Sequence, residues 1–178
     1  MKLIYNFVKL IYLIFHSLYF HSKNFFLIFK ANIKKKSSRE ALDFLNKNRD
    51  FWMPFALTIL KTNHKKYIKN PKNIKSEFMT IGFDTISKKY NKIIAGTHIY
   101  DQTVRPQILE KSQNEKYFSL IKEFEKITGV PALLNTSLNL HGNPVSSTLE
   151  DVIYTFKNSG LTYLYINDNF LVQKLKIS

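Results

Sequence analysis

The chain has 178 residues, of which 44% are hydrophobic and 15% aromatic; this is enough apolar material for one folded domain and excludes a wholly disordered chain. It contains no cysteine, which excludes disulfide scaffolds, cysteine–zinc sites, iron–sulfur clusters and thiol nucleophiles. The formal net charge is +14, concentrated in residues 1–90, which hold 18 basic and 5 acidic residues. Nucleic-acid binding would account for this charge, but lysine scattered among Asn, Ile, Phe and Tyr favours a compositional bias instead.

Residues 1–36 differ from the rest of the chain. Their two apolar runs, 10–20 and 25–29, approach the length of a membrane span, but polar residues interrupt them at His16, His21, Lys23 and Asn24. Membrane contact through residues 10–29 therefore stays an alternative that is not favoured. We interpret residues 1–36 as an apolar and basic leader, residues 37–178 as the folded domain, and the protein as cytoplasmic.

The predicted elements after the leader alternate between helix and strand. Ser37 and Glu40 have capping-box spacing, which predicts a short helix through Ala41–Leu45. The rest follow in chain order: a strand over 54–60, a connection with one helical turn over 61–71, strands over 78–84 and 93–99, a helix over 114–128, a strand over 132–136, a helix from Thr148 to Gly160, and a hairpin of 161–166 with 170–175. The fold class is α/β (α+β), a twisted mixed sheet with flanking helices.

One segment joins a buried strand to a polar turn. It covers residues 128–144, TGVPALLNTSLNLHGNP, and the side chains that can bind a ligand are Asn135, Ser137 and Asn139. Exits from strands are where α/β folds commonly place ligands. Asn, Ser and Gly are also ordinary turn residues, so a purely structural role stays open.

Two further segments place cations beside strand ends. Residues 98–107, HIYDQTVRPQ, contain His98 and Arg105, and residues 47–56, KNRDFWMPFA, contain Lys47 and Arg49. Arginine holds phosphate as a planar fork that lysine cannot copy, and this lysine-rich chain has only three arginines, at 39, 49 and 105. These cations could meet a phosphate or simply be solvated.

The three segments together resemble the carbamoyltransferase family that makes carbamoylated antibiotics and nodulation factors. The family pattern reads K-x-R-[ED]-x-[FW]-x-P-F-A, then H-x-x-D-x-T-x-R-x-Q, then T-G-x-P-x-L-L-N-T-S-x-N-x-x-G-x-P. This sequence carries the three blocks in that order with compatible gaps, and the resemblance covers roughly Ser37 to Lys174.

The resemblance implies a YrdC-like C-terminal domain with a concave, positively charged face. In the family, this domain combines carbamoyl phosphate with ATP to give carbamoyl adenylate and pyrophosphate, and a separate N-terminal domain of kinase-like fold transfers the carbamoyl group to an acceptor hydroxyl. ATP is expected with magnesium, and no metal site is expected in this chain. No catalytic residue is assigned; the residues expected to bind ATP and carbamoyl phosphate are Lys47, Arg49, His98, Arg105, Asn135, Ser137 and Asn139.

The sequence also departs from the family pattern. Met53 stands where many members have arginine, and the block G-P-R-A-L-G does not precede Lys47. We therefore expect the last third of a carbamoyltransferase, lacking the acceptor domain and partnered by a separately encoded N-terminal domain. Two alternatives remain open: a non-catalytic nucleotide-binding remnant, and a basic nucleic-acid-binding module.

Overall fold

The computed structural model describes residues 55–98, 100–161, 163–166 and 170–175, and the backbone of residues 13–14 and 25–28. The strands are β1 (Leu13–Ile14), β2 (Phe25–Ile28), β3 (Ala56–Leu60), β4 (Phe83–Asp84), β5 (Thr103–Val104), β6 (Pro106–Leu109), β7 (Ala132–Asn135), β8 (Tyr163–Ile166) and β9 (Phe170–Gln173). The helices are α1 (Tyr90–Ile93), α2 (Glu115–Thr128) and α3 (Leu149–Asn158). This arrangement confirms the predicted mixed α/β fold with flanking helices.

A three-stranded mixed sheet, ordered β6-β3-β7, lies at the centre of the core. Strand β3 runs parallel to β6 and antiparallel to β7. Its residues Leu57, Ile59 and Leu60 have no accessible surface, as expected for a strand that is covered on both faces. The predicted strand over 54–60 is therefore observed from Ala56, while Pro54 lies outside the described residues.

Helix α2 begins and ends where the sequence predicts. The Asn114 side chain accepts a hydrogen bond from the Tyr117 backbone N–H at 3.0 Å, and Gly129 ends the helix with a φ of +70°. Its buried residues Tyr117, Ile121 and Phe124 lie on the apolar stripe. The prediction of a core-facing helix over 114–128 is confirmed.

Helix α3 and the hairpin that follows are also confirmed. Thr148 and Asp151 form a reciprocal capping box at the start of α3. Strands β8 and β9 pair antiparallel with Ile166 opposite Phe170. After β9, the Lys174 ammonium donates to the carbonyl oxygens of Lys157 and Ser159, at 3.0 and 2.7 Å, and so caps the carboxyl end of α3.

Two predicted strands are wrong in whole or in part. The strand expected over 93–99 is helical over its described residues up to Gly96, because α1 continues into a 3₁₀ turn, Ile94–Gly96, that buries Ile93 and Ala95. The strand expected over 78–84 is reduced to β4. The left-handed backbone of Met79, with a φ of +56°, interrupts extended structure before that strand.

The two earliest strands pair with the rest of the domain. Strand β2 lies antiparallel to β8, with Phe25 opposite Ile166, and β1 pairs with β2 on its other side. The predicted helix through Ala41–Leu45 lies outside the described residues. Over the described stretches of chain, no helix combines the length and apolarity needed to cross a membrane.

Candidate functional site

The candidate site lies at one edge of the central sheet, where β3 and β6 begin and β7 ends. Leu57 is in register with Pro106, and Ala56 is in register with Asn135. Arg105, which directly precedes β6, and Asn135, which ends β7, therefore flank the first residues of β3. The topology thus brings two of the three sequence motifs together. Lys47 and Arg49 belong to the third motif and lie outside the described residues.

Three polar side chains link the strands just inside this edge. Thr58 Oγ1 donates to Gln107 Oε1 at 2.9 Å, and Asn135 Nδ2 donates to Thr58 Oγ1 at 2.9 Å and to Gln107 Oε1 at 3.2 Å. Thr58 is fully buried and Asn135 is 5% exposed. The Asn135 amide nitrogen is thus used within the sheet, which fixes the point where β7 opens into the following loop.

Tyr117 of helix α2 lies beside this polar cluster. Burial raises the pKa of the Tyr117 phenol, and the neighbouring Thr58 hydroxyl partly opposes that rise. The phenol stays protonated at neutral pH because both its burial and its ordinary value favour the neutral form. A neutral side chain therefore lies behind the polar cluster.

Arg105 is the exposed cation at this edge. It stands between β5 and β6, with the buried residues Val104 and Pro106 on either side. Among the described residues, its guanidinium makes no hydrogen bond or ion pair, so its five donors are available to a ligand. A cation of this kind can hold a phosphate through two parallel hydrogen bonds.

Ser137 and Asn139 lie in the loop that follows β7. Ser137 Oγ donates to Asn139 Oδ1, so the two side chains lie on the same side of the loop. Asn139 Nδ2 donates to the carbonyl oxygens of Leu140 and Asn143, at 3.1 and 2.8 Å. Both amide hydrogens of Asn139 thus close the turn, whereas Ser137 is exposed at its surface.

Gly96 lies just before His98, the first residue of the Arg105 motif, and packs against the sheet. A Cβ atom on Gly96 would lie 2.2 Å from Leu57 Cδ2 and 3.2 Å from Leu134 Cδ2, so only glycine lets this segment approach the sheet so closely. His98 follows two residues later, and its Nδ1 is 3.2 Å from Asp101 Oδ1. His98 therefore follows a segment that packs on the Leu57 and Leu134 side of the sheet, the face opposite to the Thr58 and Asn135 side chains.

Sequence reasoning missed Thr58, Gln107 and Gly96. Gln107 is the last residue of the motif that contains His98 and Arg105. Its place in that motif could have indicated that it belongs to the same site. Thr58 is the one polar residue in the strand sequence ALTIL, a pattern that indicates a buried partner for its hydroxyl. Gly96 gave no local signal, because its close contact depends on residues distant in the sequence.

A cavity of about 300 Å³ opens at the opposite edge of the sheet, where β3 and β6 end. Several of its polar groups are already bonded within the protein. Asn70 exchanges two hydrogen bonds with the Ile74 backbone, and Lys61 pairs with Glu110. The Arg105 edge instead joins two of the three sequence motifs, so we place the candidate site there.

Comparison with known proteins agrees with this fold and these motifs. Residues 29–174 match the family described as carbamoyltransferase C-terminus. An uncharacterized protein of Methanocaldococcus jannaschii, MJ1051, is 36% identical over 78% of this chain and 27% of its own length. Nodulation protein NolO of Bradyrhizobium diazoefficiens is 30% identical over 81% of this chain and 26% of its own length. Nodulation protein NolNO of Sinorhizobium fredii is 29% identical over 81% of this chain and 21% of its own length.

The fold, the motifs and these matches define a mixed α/β domain with flanking helices. The chain belongs to the carbamoyltransferase C-terminal family. It spans about a quarter of the length of the relatives named above. The family match begins at residue 29, within the segment that sequence reasoning assigned to the leader.

Proposed function

We propose that this domain binds ATP, as its magnesium complex, and carbamoyl phosphate at the Arg105 edge and forms carbamoyl adenylate there. The observation that carries the proposal is the exposed Arg105 at the edge of the sheet where Asn135 ends β7, in a chain that belongs to the carbamoyltransferase C-terminal family. Polyanionic substrates need fixed cations that offset the charge of bringing them together. Arg105 supplies such a cation without having to leave a partner among the described residues.

The atoms of the proposed reaction balance when one water molecule is included. Carbamoyl phosphate gives up its phosphate and ATP gives up pyrophosphate, so one water is consumed when the carbamoyl group becomes attached to AMP. An oxygen of carbamate, formed with that water, attacks the α-phosphorus of ATP, and the bond to the β-phosphate oxygen breaks as pyrophosphate leaves. The site must therefore stabilise two anionic leaving groups and admit one water.

The side chains at this edge have separate roles in the proposal. Arg105 contacts a phosphate group, and on binding the exposed hydroxyl of Ser137 exchanges its acceptor, Asn139 Oδ1, for an oxygen of the nucleotide. Asn135 and Asn139, whose amide nitrogens bond within the protein, shape the loop and offer their remaining oxygens. Lys47 and Arg49 are proposed as further phosphate ligands, on the basis of their place in the family motif.

Transfer to an acceptor hydroxyl is proposed to require a partner. The relatives extend well beyond the length that this chain covers. An N-terminal acceptor domain, encoded separately, would receive the carbamoyl adenylate and complete the transfer. The alternatives weighed above, a nucleotide-binding remnant and a nucleic-acid-binding module, predict no adenylate formation at all.

Pyrophosphate exchange tests the proposal without the acceptor domain. The full chain is incubated with ATP, magnesium and labelled pyrophosphate, and label entering ATP is measured with and without carbamoyl phosphate. We expect exchange that depends on carbamoyl phosphate and is reduced at least tenfold by Arg105→Gln, since a lost charged contact of about 1.5–3 kcal/mol corresponds to that change.

A matched variant controls for the loss of positive charge. Lys126 is exposed on α2 and pairs with Glu123 of the same helix, so Lys126→Gln removes one positive charge away from the site. We expect this variant to exchange pyrophosphate like the unaltered chain. Binding of ATP without exchange would support the remnant, and salt-dependent binding of DNA or RNA without ATP binding would support the nucleic-acid module.

A further inference from the structure

His98 and Asp101 form a pair whose role is not explained by the ligand contacts proposed above. The His98 Nδ1 atom is fully buried, lacks a well-aligned hydrogen bond, and lies 3.2 Å from Asp101 Oδ1. A buried ring nitrogen without a partner is costly, and this carboxylate is the acceptor within ion-pair distance of it in the described part of the chain. At 3.2 Å, this carboxylate is close enough to accept a hydrogen bond from Nδ1–H.

Asp101 is itself held in place by Thr103. Its Oδ1 accepts a hydrogen bond from the Thr103 backbone N–H at 2.9 Å and another from the Thr103 hydroxyl at 2.8 Å. These bonds, and then the nearby His98, lower the pKa of the Asp101 carboxyl, so it is ionised at neutral pH. The motif H-x-x-D-x-T is thus one connected unit, in which threonine orients the carboxylate and the carboxylate faces histidine.

The other ring nitrogen of His98 is the accessible one. The side chain keeps 24% of its surface although Nδ1 has none, so Nε2 is the nitrogen that a ligand can reach. The backbone around the ring is fixed as well. The His98 N–H donates to the Thr103 carbonyl at 2.7 Å, and the close approach of Gly96 to Leu57 holds the preceding residues against the sheet.

We propose that Asp101 is a positioning residue that keeps the proton of the neutral His98 ring on Nδ1, so that Nε2, the accessible ring nitrogen, accepts a hydrogen bond. The hydrogen bond at one ring nitrogen sets the tautomer and therefore the chemistry of the other. The inference rests on the proposed function for its ligand: the water consumed by that reaction donates a hydrogen bond to Nε2. His98 then serves as an acceptor for water, and this role replaces the phosphate contact expected from its motif, because an unprotonated Nε2 cannot donate to an anion.

The imidazole nitrogen resonances of the full chain test this inference directly. At about pH 8.5, where an ordinary imidazole is neutral, ¹⁵N–¹H correlation spectra distinguish a protonated ring nitrogen from an unprotonated one. The His98 signals are assigned by their loss in His98→Gln. We expect Nδ1 to carry the proton in most molecules, and a wild-type spectrum dominated by the Nε2–H form would overturn the inference.

Two variants separate positioning from general structural effects. Asp101→Asn keeps an oxygen for the Thr103 donors but removes the fixed anionic acceptor, so the proton should redistribute toward Nε2. Glu123→Gln removes an exposed carboxylate on α2 and should leave the His98 signals unchanged. An unchanged tautomer in a folded Asp101→Asn would contradict the inference, and if that variant does not fold, the wild-type spectrum alone decides.

Addition of ATP separates this inference from the proposed function. If both hold, ATP with magnesium shifts the Nε2 signal of the wild type and leaves the proton on Nδ1. If the Nδ1–H form dominates but ATP changes nothing, the proposed function fails while the positioning of His98 by Asp101 stands.

Discussion

Asn135 Nδ2 lies 2.9 Å from the hydroxyl oxygen of Thr58, a residue 77 positions earlier in the chain, and both side chains are buried. Their hydrogen bond crosses from β7 to β3 at the edge where Arg105 directly precedes β6. Gln107 accepts from both residues, so three strands are joined by polar contacts inside an otherwise apolar sheet. A cluster of this kind fixes strand register because each member left alone would be a buried unpaired group.

The first prediction concerns this cluster. Asn135→Ala should lower the free energy of unfolding by about 1–3 kcal/mol, because Thr58 and Gln107 lose a buried partner. Urea denaturation followed by circular dichroism measures the change. Asn143→Ala is the matched control, since Asn143 is exposed in the following loop and contributes its backbone, and we expect a change within about 0.5 kcal/mol. Equal stability of the two variants would show that the cluster does not stabilise the sheet.

A second prediction separates Ser137 from Asn139. The Asn139 amide closes the turn through two carbonyls, so Asn139→Ala should lower stability without ligand by about 1 kcal/mol. Ser137 is exposed, so Ser137→Ala should leave the ligand-free melting temperature nearly unchanged but reduce the stabilisation that ATP gives by mass action. Thermal melts with and without ATP measure both effects. If Ser137→Ala keeps the full ATP-dependent shift, the hydroxyl does not bind the nucleotide.

The third prediction uses two glycines that differ in their surroundings. Gly96→Ala places a Cβ atom 2.4 Å from Leu57 Cγ in the core, and should cost about 1–3 kcal/mol of stability. Gly82→Ala meets nothing within 4 Å and requires no left-handed backbone, so it should be neutral or stabilise by up to about 1 kcal/mol. Chemical denaturation of both variants gives the comparison. A Gly96→Ala protein as stable as Gly82→Ala would mean that the segment before His98 is not held against the sheet.

The helices were predictable because their signals are local. Asn114, Gly129 and the pair Thr148 and Asp151 specify helix ends through contacts with residues three or four positions away, and the structure shows those contacts. The strand predicted over 93–99 was wrong because contacts with distant residues decide the structure there. Its β-branched residues favour a strand, but burial of Ile93 and the approach of Gly96 to the sheet override that preference.

The candidate site likewise contains some residues that the sequence could predict and others that it could not. The motifs indicated Arg105 and Asn135 because strand ends commonly carry ligands, and the sheet places both at one edge. The partnership of Thr58 with Gln107 could not be predicted, since it depends on a parallel register between strands 49 residues apart. The positions of Lys47 and Arg49 stay a prediction because they lie outside the described residues.

The fourth prediction is a pH dependence that arises at the start of α3. Backbone hydrogen bonds from Ser147 and Thr148 lower the pKa of the Asp151 carboxyl. A carboxyl whose pKa is lower in the folded state stabilises the fold above its ordinary pKa of about 4, and this contribution is lost as pH falls through the folded value. Asp151→Asn should therefore flatten the decline in melting temperature below about pH 4, relative to the unaltered chain. Identical pH profiles would show that the capping box does not contribute this dependence.

The binding of ATP to the full chain tests the central claim most directly. Isothermal titration calorimetry is performed on the unaltered chain, on Arg105→Lys and on Lys126→Gln. We expect Arg105→Lys to weaken ATP binding by about 1–3 kcal/mol, because a two-point charged contact becomes a point charge, and Lys126→Gln to bind like the unaltered chain. Measurable ATP binding with the same affinity in all three proteins would remove Arg105 from the site, and no ATP binding by the unaltered chain would contradict the account.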